Sequence, residues 1–242
     1  MSINFAVTSR MSGHYRVQLA NASGDVHLDT GFFDNLITNT GLDQFGNATL
    51  SGWTGGSTTN IPCRCAVGTG NTTPAVTDTA LVSQLAMFPA AGAYAQGTAP
   101  TTTYVAGPPA YWSAVHTFTF PLGGVVGNIA EIGTGGTFNL ADTAIVTASR
   151  ALIVDGGGVP TTISVTAADQ LIVTYELRQY LDLTDTPYST TISGVTYTGV
   201  IRRAIISTTL PTISSQVDGQ LYTAHTNIDG AYYNGSILVC AV

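Results

Sequence analysis

The segment from residue 149 to residue 183 constrains the fold more than any other, because it predicts three β-strands in succession. Its longest run has apolar side chains at every second position, namely Leu171, Val173, Tyr175 and Leu177. The alternate positions are polar or amphipathic and include Thr174, Glu176, Arg178 and Tyr180. A period of two places successive side chains on opposite faces of a sheet. One buried and one polar face is typical of an antiparallel sheet that packs on one side.

The remaining chain has the same character. Shorter strands are predicted at residues 151–154 and 161–166, and a hairpin at residues 14–29 turns at Asn21-Ala22-Ser23-Gly24. Further strands are predicted at residues 31–37, 62–67, 110–121, 127–133, 143–149, 195–198, 199–208 and 236–242. Residues 182–189 are predicted to form a turn around Pro187.

Two short helices are predicted. One begins at Thr38-Asn39-Thr40 and ends near Gly46, and the other covers residues 79–87 with Thr77 or Asp78 as its cap. The fold class predicted is therefore all-β, an antiparallel β-sandwich or jelly-roll-like domain of roughly ten to twelve strands with at most two short helices. We expect a single domain over residues 1–242, with a long loop or arm near residues 89–109.

The charge content is unusually low. Charged residues make up 9% of the chain, there is no lysine, and the formal net charge is −7. Lysine is depleted at protein interfaces, so a chain rich in Thr, Ser and Asn without lysine is a candidate component of an assembly. Phosphate binding needs clusters of arginine and lysine, so we expect no nucleic-acid partner.

The cysteines argue against a disulfide framework, and the apolar segments argue against a membrane-spanning protein. Cys63, Cys65 and Cys240 are an odd number, and residues two apart on a strand are roughly 6.5 Å apart, a poor geometry for a disulfide. We expect all three thiols to be reduced. The first residues do not form a signal peptide, and no stretch is long and apolar enough to span a bilayer, so we expect synthesis in a cytoplasm and no membrane insertion.

No catalytic, cofactor or metal motif stands out. His116 lies on the apolar face of its predicted strand and is predicted to be a hydrogen-bonded core histidine. Glu131 and Glu176 are the only glutamates, and a glycosidase pair stays open beside the favoured interpretation of Glu176 as an ion-pair partner of Arg178, with Arg150, Arg202 and Arg203 as further candidate partners. Asp182 and Asp185 could hold a cation or cap a plain turn. We expect no enzyme activity, no cofactor and no metal.

Aromatic side chains in or beside loop-like segments are the candidates for an interface or a ligand site. They are Trp53, Tyr94, Tyr104, Tyr111, Tyr232 and Tyr233, with Trp112 nearby. Such rings stack on sugars in binding sites, and tyrosine and tryptophan are also enriched at protein interfaces. The sequence leaves both alternatives open.

Loose motifs in order along the chain resemble a known group of proteins. Residues 32–47 hold ITNTGL, residues 65–85 hold GTGNTTPAVTDTAL, residues 130–136 hold EIG, and residues 149–177 hold SRALIVDGGGVPTTISVTAADQLIVTYEL. This series resembles virion structural proteins of tailed bacteriophages, of the tail, tail-fibre or baseplate-associated type.

The resemblance implies an all-β component of the particle, and it brings no catalytic residues. It implies a structural role in the tail, collar or baseplate, with anchoring of fibres as one form of it. The partners expected are other copies of the chain, in a ring or trimer, and other virion proteins. The alternative is a receptor- or glycan-binding module of the same particle, with a host-surface glycan as its ligand. The location implied is the virion, after synthesis in the host cytoplasm.

Overall fold

The computed structural model describes residues 10–47, 64–93, 101–138, 141–181, 186–201, 227–228 and 231–232. Its elements in chain order are β1 (Arg10–Ala20), β2 (Val26–Asp34), β3 (Leu36–Ile37), α1 (Asn39–Asn47), β4 (Arg64–Gly68), β5 (Gln84–Phe88), β6 (Thr101–Val105), β7 (Ala110–Thr119), β8 (Gly127–Ile129), β9 (Glu131–Gly136), β10 (Val146–Leu152), β11 (Ile163–Val165), β12 (Gln170–Leu181), β13 (Thr186–Ile192), β14 (Val195–Ile201), β15 (Asn227–Ile228) and β16 (Ala231–Tyr232). The predicted all-β class is confirmed. The described part has more strands than expected, because several are only two or three residues long.

Two five-stranded antiparallel sheets form the body of the protein. Sheet A has the order β2-β1-β12-β7-β6, and sheet B has the order β3-β10-β9-β4-β5. Strands β8 with β11, β13 with β14, and β15 with β16 form separate two-stranded sheets. The longest ladder is at the centre of sheet A, where β1 pairs with β12 from Arg10↔Tyr180 to Ala20↔Gln170.

The core lies between the two sheets, and the alternation of β12 was predicted correctly. Leu171, Val173, Tyr175 and Leu177 are buried and pack in one cluster with residues of sheet B such as Ile132. Tyr15 also belongs to this cluster, and its hydroxyl lies 2.6 Å from Ser149 Oγ on the opposite sheet. Burial raises the pKa of Tyr15 well above its usual value, so the hydroxyl stays neutral and links the sheets by hydrogen bonds.

The first predicted helix is confirmed as α1. The hydroxyl of Thr38 accepts a hydrogen bond from the amide of Gly41 at 3.0 Å, which is the expected cap, and donates to the carbonyl of Thr147 at 2.7 Å. The cap therefore also fixes the helix to β10.

Three local predictions are wrong or incomplete. Residues 79–87 form no helix, and β5 occupies their second half. The region 89–109 contains the edge strand β6, whose Thr, Tyr and Val side chains suit a sheet. Within the turn predicted at residues 182–189, residues 186–189 lie in β13. Residues 195–201 form the single strand β14 across the predicted boundary at residue 199, and its hairpin with β13 closes at Ser193-Gly194. Both turn residues have positive φ, as a two-residue hairpin loop requires.

Candidate interaction surfaces

The structure places only two of the aromatic candidates with their side chains. Trp53, Tyr94 and Tyr233 lie outside the described residues, and Tyr232 is described only as part of the backbone of β16. Tyr104 on β6 is opposite Trp112 in the register, while Tyr111 is opposite Val105 on one side and Tyr180 on the other. Directly opposed residues share a face. Tyr104 therefore lies on the inner face of sheet A and Tyr111 on its outer face, so the two do not form one site.

Tyr111 belongs to a compact group on the outer face of sheet A, which we call the outer cluster: Tyr111, Ser113, Glu176, Arg178 and Tyr180. The rings of Tyr111 and Tyr180 have centroids 5.5 Å apart at 53°. The guanidinium of Arg178 lies 5.0 Å from the centre of the Tyr111 ring and donates to Glu176 at 2.8 Å. The predicted Glu176–Arg178 ion pair is therefore confirmed.

The ion pair is partly shielded by the surrounding side chains. Burial alone would raise the pKa of Glu176, but hydrogen bonds from Arg178 and from the Ser113 hydroxyl, at 2.6 Å, outweigh it and hold the pKa below its usual value. The hydrogen bond to Glu176 raises the pKa of Arg178. Both groups are charged across the ordinary pH range.

The outer cluster continues onto β1. His14 contacts Asp34 through Nδ1 at 2.9 Å and Ser12 Oγ through Nε2 at 2.9 Å. Burial and the nearby charge of Arg178 lower the pKa of His14 despite the carboxylate of Asp34. At the first residue of β1, the guanidinium of Arg10 lies 5.0 Å from the centre of the Tyr180 ring.

A cleft of about 460 Å³ opens beside these residues, where the chain leaves sheet A for sheet B. Its lining is Arg10, Met11, Ser12, Gly13, His14, Asp34, Asn35, Leu36, Ile37, Leu42 and Tyr180. β2 pairs with β1 only from His14↔Asp34 onward, and the amide of Asn35 makes the last bond, to the carbonyl of Gly13 at 3.1 Å. Beyond this point β3 pairs with β10 instead. One wall of the cleft is therefore the first part of β1, which extends past its partner.

The hairpin of β13 and β14 is a second exposed feature. Its register places Tyr188, Thr190, Ile192, Val195 and Tyr197 on one face, while the other face carries Thr and Ser together with Pro187 and Val200. Ile192, Val195 and Tyr197 are each about half exposed, with Tyr197 at 51%. Among the described strands, β13 and β14 pair only with each other. The hairpin thus carries an apolar face that no described sheet covers.

A third group of polar residues is built on sheet B, and we call it the buried network: Glu131 and Arg150, which are buried, and Asp78 on the loop between β4 and β5, whose side chain is 24% exposed. Arg150 Nε donates to Glu131 at 2.9 Å, and its Nη1 donates to Asp78 at 2.7 Å. Burial would raise the pKa of Asp78, but hydrogen bonds from the amide of Ala75 and from Arg150 hold it below its usual value. The sequence offered Arg150 only as one of several partners for a glutamate, and it did not indicate Asp78.

Backbone amides complete the buried network. Glu131 accepts hydrogen bonds from the amides of Gly70 at 3.1 Å, Val82 at 3.1 Å and Ser83 at 2.7 Å. A Cβ on Gly70 would lie 2.4 Å from Glu131 Oε1, so glycine is required for this close approach. Both oxygens of Glu131 are engaged and its side chain is fully buried, so the arrangement fixes a loop. The two glutamates lie in different sheets and do not form a pair.

The other predicted sites have mixed outcomes. Cys65 is a buried free thiol whose pKa is raised by burial, while Cys63 and Cys240, and the aspartates at 182 and 185, lie outside the described residues. His116 is buried and its ring lies 4.2 Å from that of Phe118. In the part of the chain that the structure covers, no group of three His, Cys, Asp or Glu side chains could hold a metal ion. Within the same residues, no helix has the length and apolar character of a membrane span.

The chain was also compared with known proteins. No family model, no curated protein and no solved structure matches it.

Proposed function

We propose that this chain is a structural component of a tailed-phage particle, in the tail, collar or baseplate, and that it acts by oligomeric protein–protein assembly. The observation that supports assembly most directly is the exposed apolar face of the β13–β14 hairpin. A two-stranded hairpin alone is at best marginally stable in water. Half-exposed Ile192, Val195 and Tyr197 on one face indicate a surface that is covered when the protein is assembled.

The surface chemistry supports the same proposal. The hairpin has no charged residue, and the whole chain has no lysine. Copies that each carry a net charge of −7 repel one another, and an uncharged contact surface avoids adding to that repulsion. Contacts of this kind rest on apolar burial and backbone hydrogen bonds, which salt screens weakly.

The resemblance adds the phage context, and the structure gives its motifs a physical meaning. The GTG segment supplies Gly70, the DTAL segment supplies Asp78, EIG supplies Glu131, and SRAL supplies Arg150. These residues meet in the buried network. A motif series that builds a closed structural network suits a virion structural protein, whose role needs a stable scaffold.

Light scattering and sedimentation of the purified full chain across a salt series test assembly. We expect a closed oligomer whose mass changes little with salt. The double variant Ile192→Lys/Val195→Lys should dissociate it, whereas Val126→Lys, at an equally exposed valine, should not. A strictly monomeric wild-type chain at high concentration would refute the assembly proposal. Mass spectrometry of purified tailed particles from the encoding source tests the virion context, which fails if the chain is absent from them.

The second candidate function is receptor or glycan binding by the same particle, and the outer cluster favours it. Tyr111 and Tyr180 present neighbouring rings beside the charged Glu176–Arg178 pair, a combination that suits stacking and hydrogen bonding to a sugar. A glycan array tests it. We expect binding that is lost on Tyr111→Ala and kept on Tyr197→Ala, and the absence of any bound glycan would remove this candidate.

A further inference from the structure

Two polar side chains in the core have buried atoms without a hydrogen-bond partner. They belong to Tyr175 on β12 and to Asn35, the residue between β2 and β3 where the chain passes from sheet A to sheet B. The Tyr175 hydroxyl and both the oxygen and the nitrogen of the Asn35 amide are enclosed, and within the described residues no group bonds any of these three atoms. Buried polar atoms are nearly always paired, so each of the three needs a partner.

The two side chains lie close together because residue 13 is a glycine. Gly13 has the same parity on β1 as Tyr15, which is opposite Tyr175 in the register. A Cβ on Gly13 would collide with the amide of Asn35. The amide therefore occupies the space on the inner face of sheet A that a side chain at position 13 would take, next to the Tyr15–Tyr175 pair.

The hydroxyls nearby cannot supply the missing partners. Burial raises the pKa of Tyr175 to about 12, and the neighbouring side chains of Ser149, Asn35 and Thr134 lower it in part. The hydroxyls of Tyr15, Thr134 and Ser149 form a triangle with oxygen–oxygen distances of 2.6, 2.8 and 3.0 Å. Each hydroxyl has one hydrogen, so three mutual bonds use all three hydrogens. The triangle keeps free lone pairs but no free donor.

A direct bond between the two side chains would not satisfy them either. If the Tyr175 hydroxyl donates to the Asn35 oxygen, the amide nitrogen keeps two unpaired hydrogens, and the reverse bond leaves the amide oxygen unpaired. A water molecule both accepts and donates. It can accept from the amide nitrogen and donate to the Tyr175 oxygen and to a free lone pair of the hydroxyl triangle. Three hydrogen bonds are typical of a buried water.

The cleft provides the route by which water reaches this place. Asn35 is part of its lining, together with the polar side chains of Ser12 and His14. An apolar cavity stays dry, whereas a site with several polar partners holds water. The polar lining of the cleft and the polar atoms behind it therefore favour the same ligand.

We propose that the core binds one ordered water molecule between Asn35 and Tyr175, and that this water joins the sheet crossover to the hydroxyl triangle. The inference goes beyond the proposed function, because it concerns how the two sheets of a single chain are connected. It gives a role to a tyrosine hydroxyl and an amide in an otherwise apolar core, and it explains why position 13 has no side chain.

Oxygen-17 magnetic relaxation dispersion of the purified full chain tests the site, because it counts long-lived bound waters in solution. Asn35→Leu and Tyr175→Phe keep the approximate shape of each side chain and remove its polar atoms. Each should lower the number of long-lived waters by one. Tyr180→Phe is the matched control, since it removes a tyrosine hydroxyl that bonds Ser12 at 3.2 Å on the outer face, and it should leave the number unchanged.

A high-resolution crystal structure of the wild type provides the second measurement. We expect a water at about 2.7–3.2 Å from Asn35 Nδ2 and from the Tyr175 hydroxyl. A structure in which the two side chains bond each other with no water between them would overturn the proposal, as would an unchanged number of long-lived waters in both variants. Urea melts show whether each variant is folded, and the wild-type structure decides the question if a variant is not.

Discussion

Each of the two glutamates of this chain pairs with an arginine, and the two pairs differ in what surrounds them. Glu131 and Arg150 are buried, and the 70–83 loop supplies their other hydrogen-bond partners, which are backbone groups and the carboxylate of Asp78. Glu176 and Arg178 lie on the outer face of sheet A beside tyrosines and an open cleft. The comparison teaches that the same ion pair can hold a loop in place or form part of a surface. The two roles differ in what else the glutamate and the arginine of each pair contact besides each other.

Removing the cation should separate the two pairs most strongly. Arg150→Met leaves Glu131 buried without its cation and should lower the free energy of unfolding by about 3–5 kcal/mol. Arg178→Met should lower it by less, about 1–2 kcal/mol, because the Glu176 side chain, which is 10% exposed, keeps the hydrogen bond from Ser113. Urea unfolding of both variants measures the difference. Equal losses would show that the enclosure of Glu131 contributes little.

The two faces of β12 extend the comparison to single positions. Val173→Asp places a lone charge in the core and should cost about 3–4 kcal/mol. Thr174→Asp points outward, opposite Arg16 in the register, and should cost less than about 1 kcal/mol. Thermal unfolding of the two variants checks the assignment of faces, and similar shifts would overturn it.

The close approach at Gly70 can be tested without changing any charge. Gly70→Ala brings a methyl group within 2.4 Å of Glu131 Oε1 and 2.6 Å of Val82 Cβ. Relieving that overlap should cost about 1–3 kcal/mol of unfolding free energy. Gly156→Ala is the control, because its added Cβ would meet nothing within 4 Å. Chemical denaturation should leave the control within about 0.5 kcal/mol of the wild type.

The smallest expected effect is a pH dependence at His14. Burial and Arg178 lower the pKa of His14 in the folded protein, so the unfolded chain binds its proton more readily. The stabilisation linked to neutral His14 is complete above the unfolded pKa of 6.5 and is lost as pH falls from there through the lower folded pKa. His14→Gln should flatten the stability profile in that window, as followed by urea midpoints. An unchanged pH dependence of the urea midpoint would show that the carboxylate of Asp34 offsets the effects of burial and Arg178 on His14.

The sequence predicted what depends on local periodicity. The faces of β12, the hairpin at Asn21–Gly24, the cap at Thr38 and the Glu176–Arg178 pair all follow from residues close together in the chain. The helix predicted at residues 79–87 is wrong for the complementary reason. The amides of Val82 and Ser83, which a helix would have paired locally, donate to Glu131 instead. A hydrogen-bond partner almost fifty residues away cannot be predicted from the local periodicity of the sequence.

The candidate surfaces were only partly predictable. Tyr111 was identified by its aromatic character, and its partner Tyr180 was visible only as a polar-face residue of a strand. The cleft depends on the residue at which β2 stops pairing with β1, and no residue type predicts that position. The turn predicted around Pro187 is wrong for the described residues because an edge strand tolerates a proline, and Pro187 lies in β13.

The central ladder of sheet A has a consequence for how the chain is made. β1 meets β12 across about 150 intervening residues, so at ribosomal rates of about 5–20 residues per second the N-terminal strand waits on the order of 10 s for its partner. During that interval β1 and β2 lack both their partner β12 and sheet B, and a two-stranded hairpin alone is at best marginally stable. Pairings of such long sequence separation also slow folding itself. We therefore expect the nascent chain to expose an unpaired strand edge until β12 has been made.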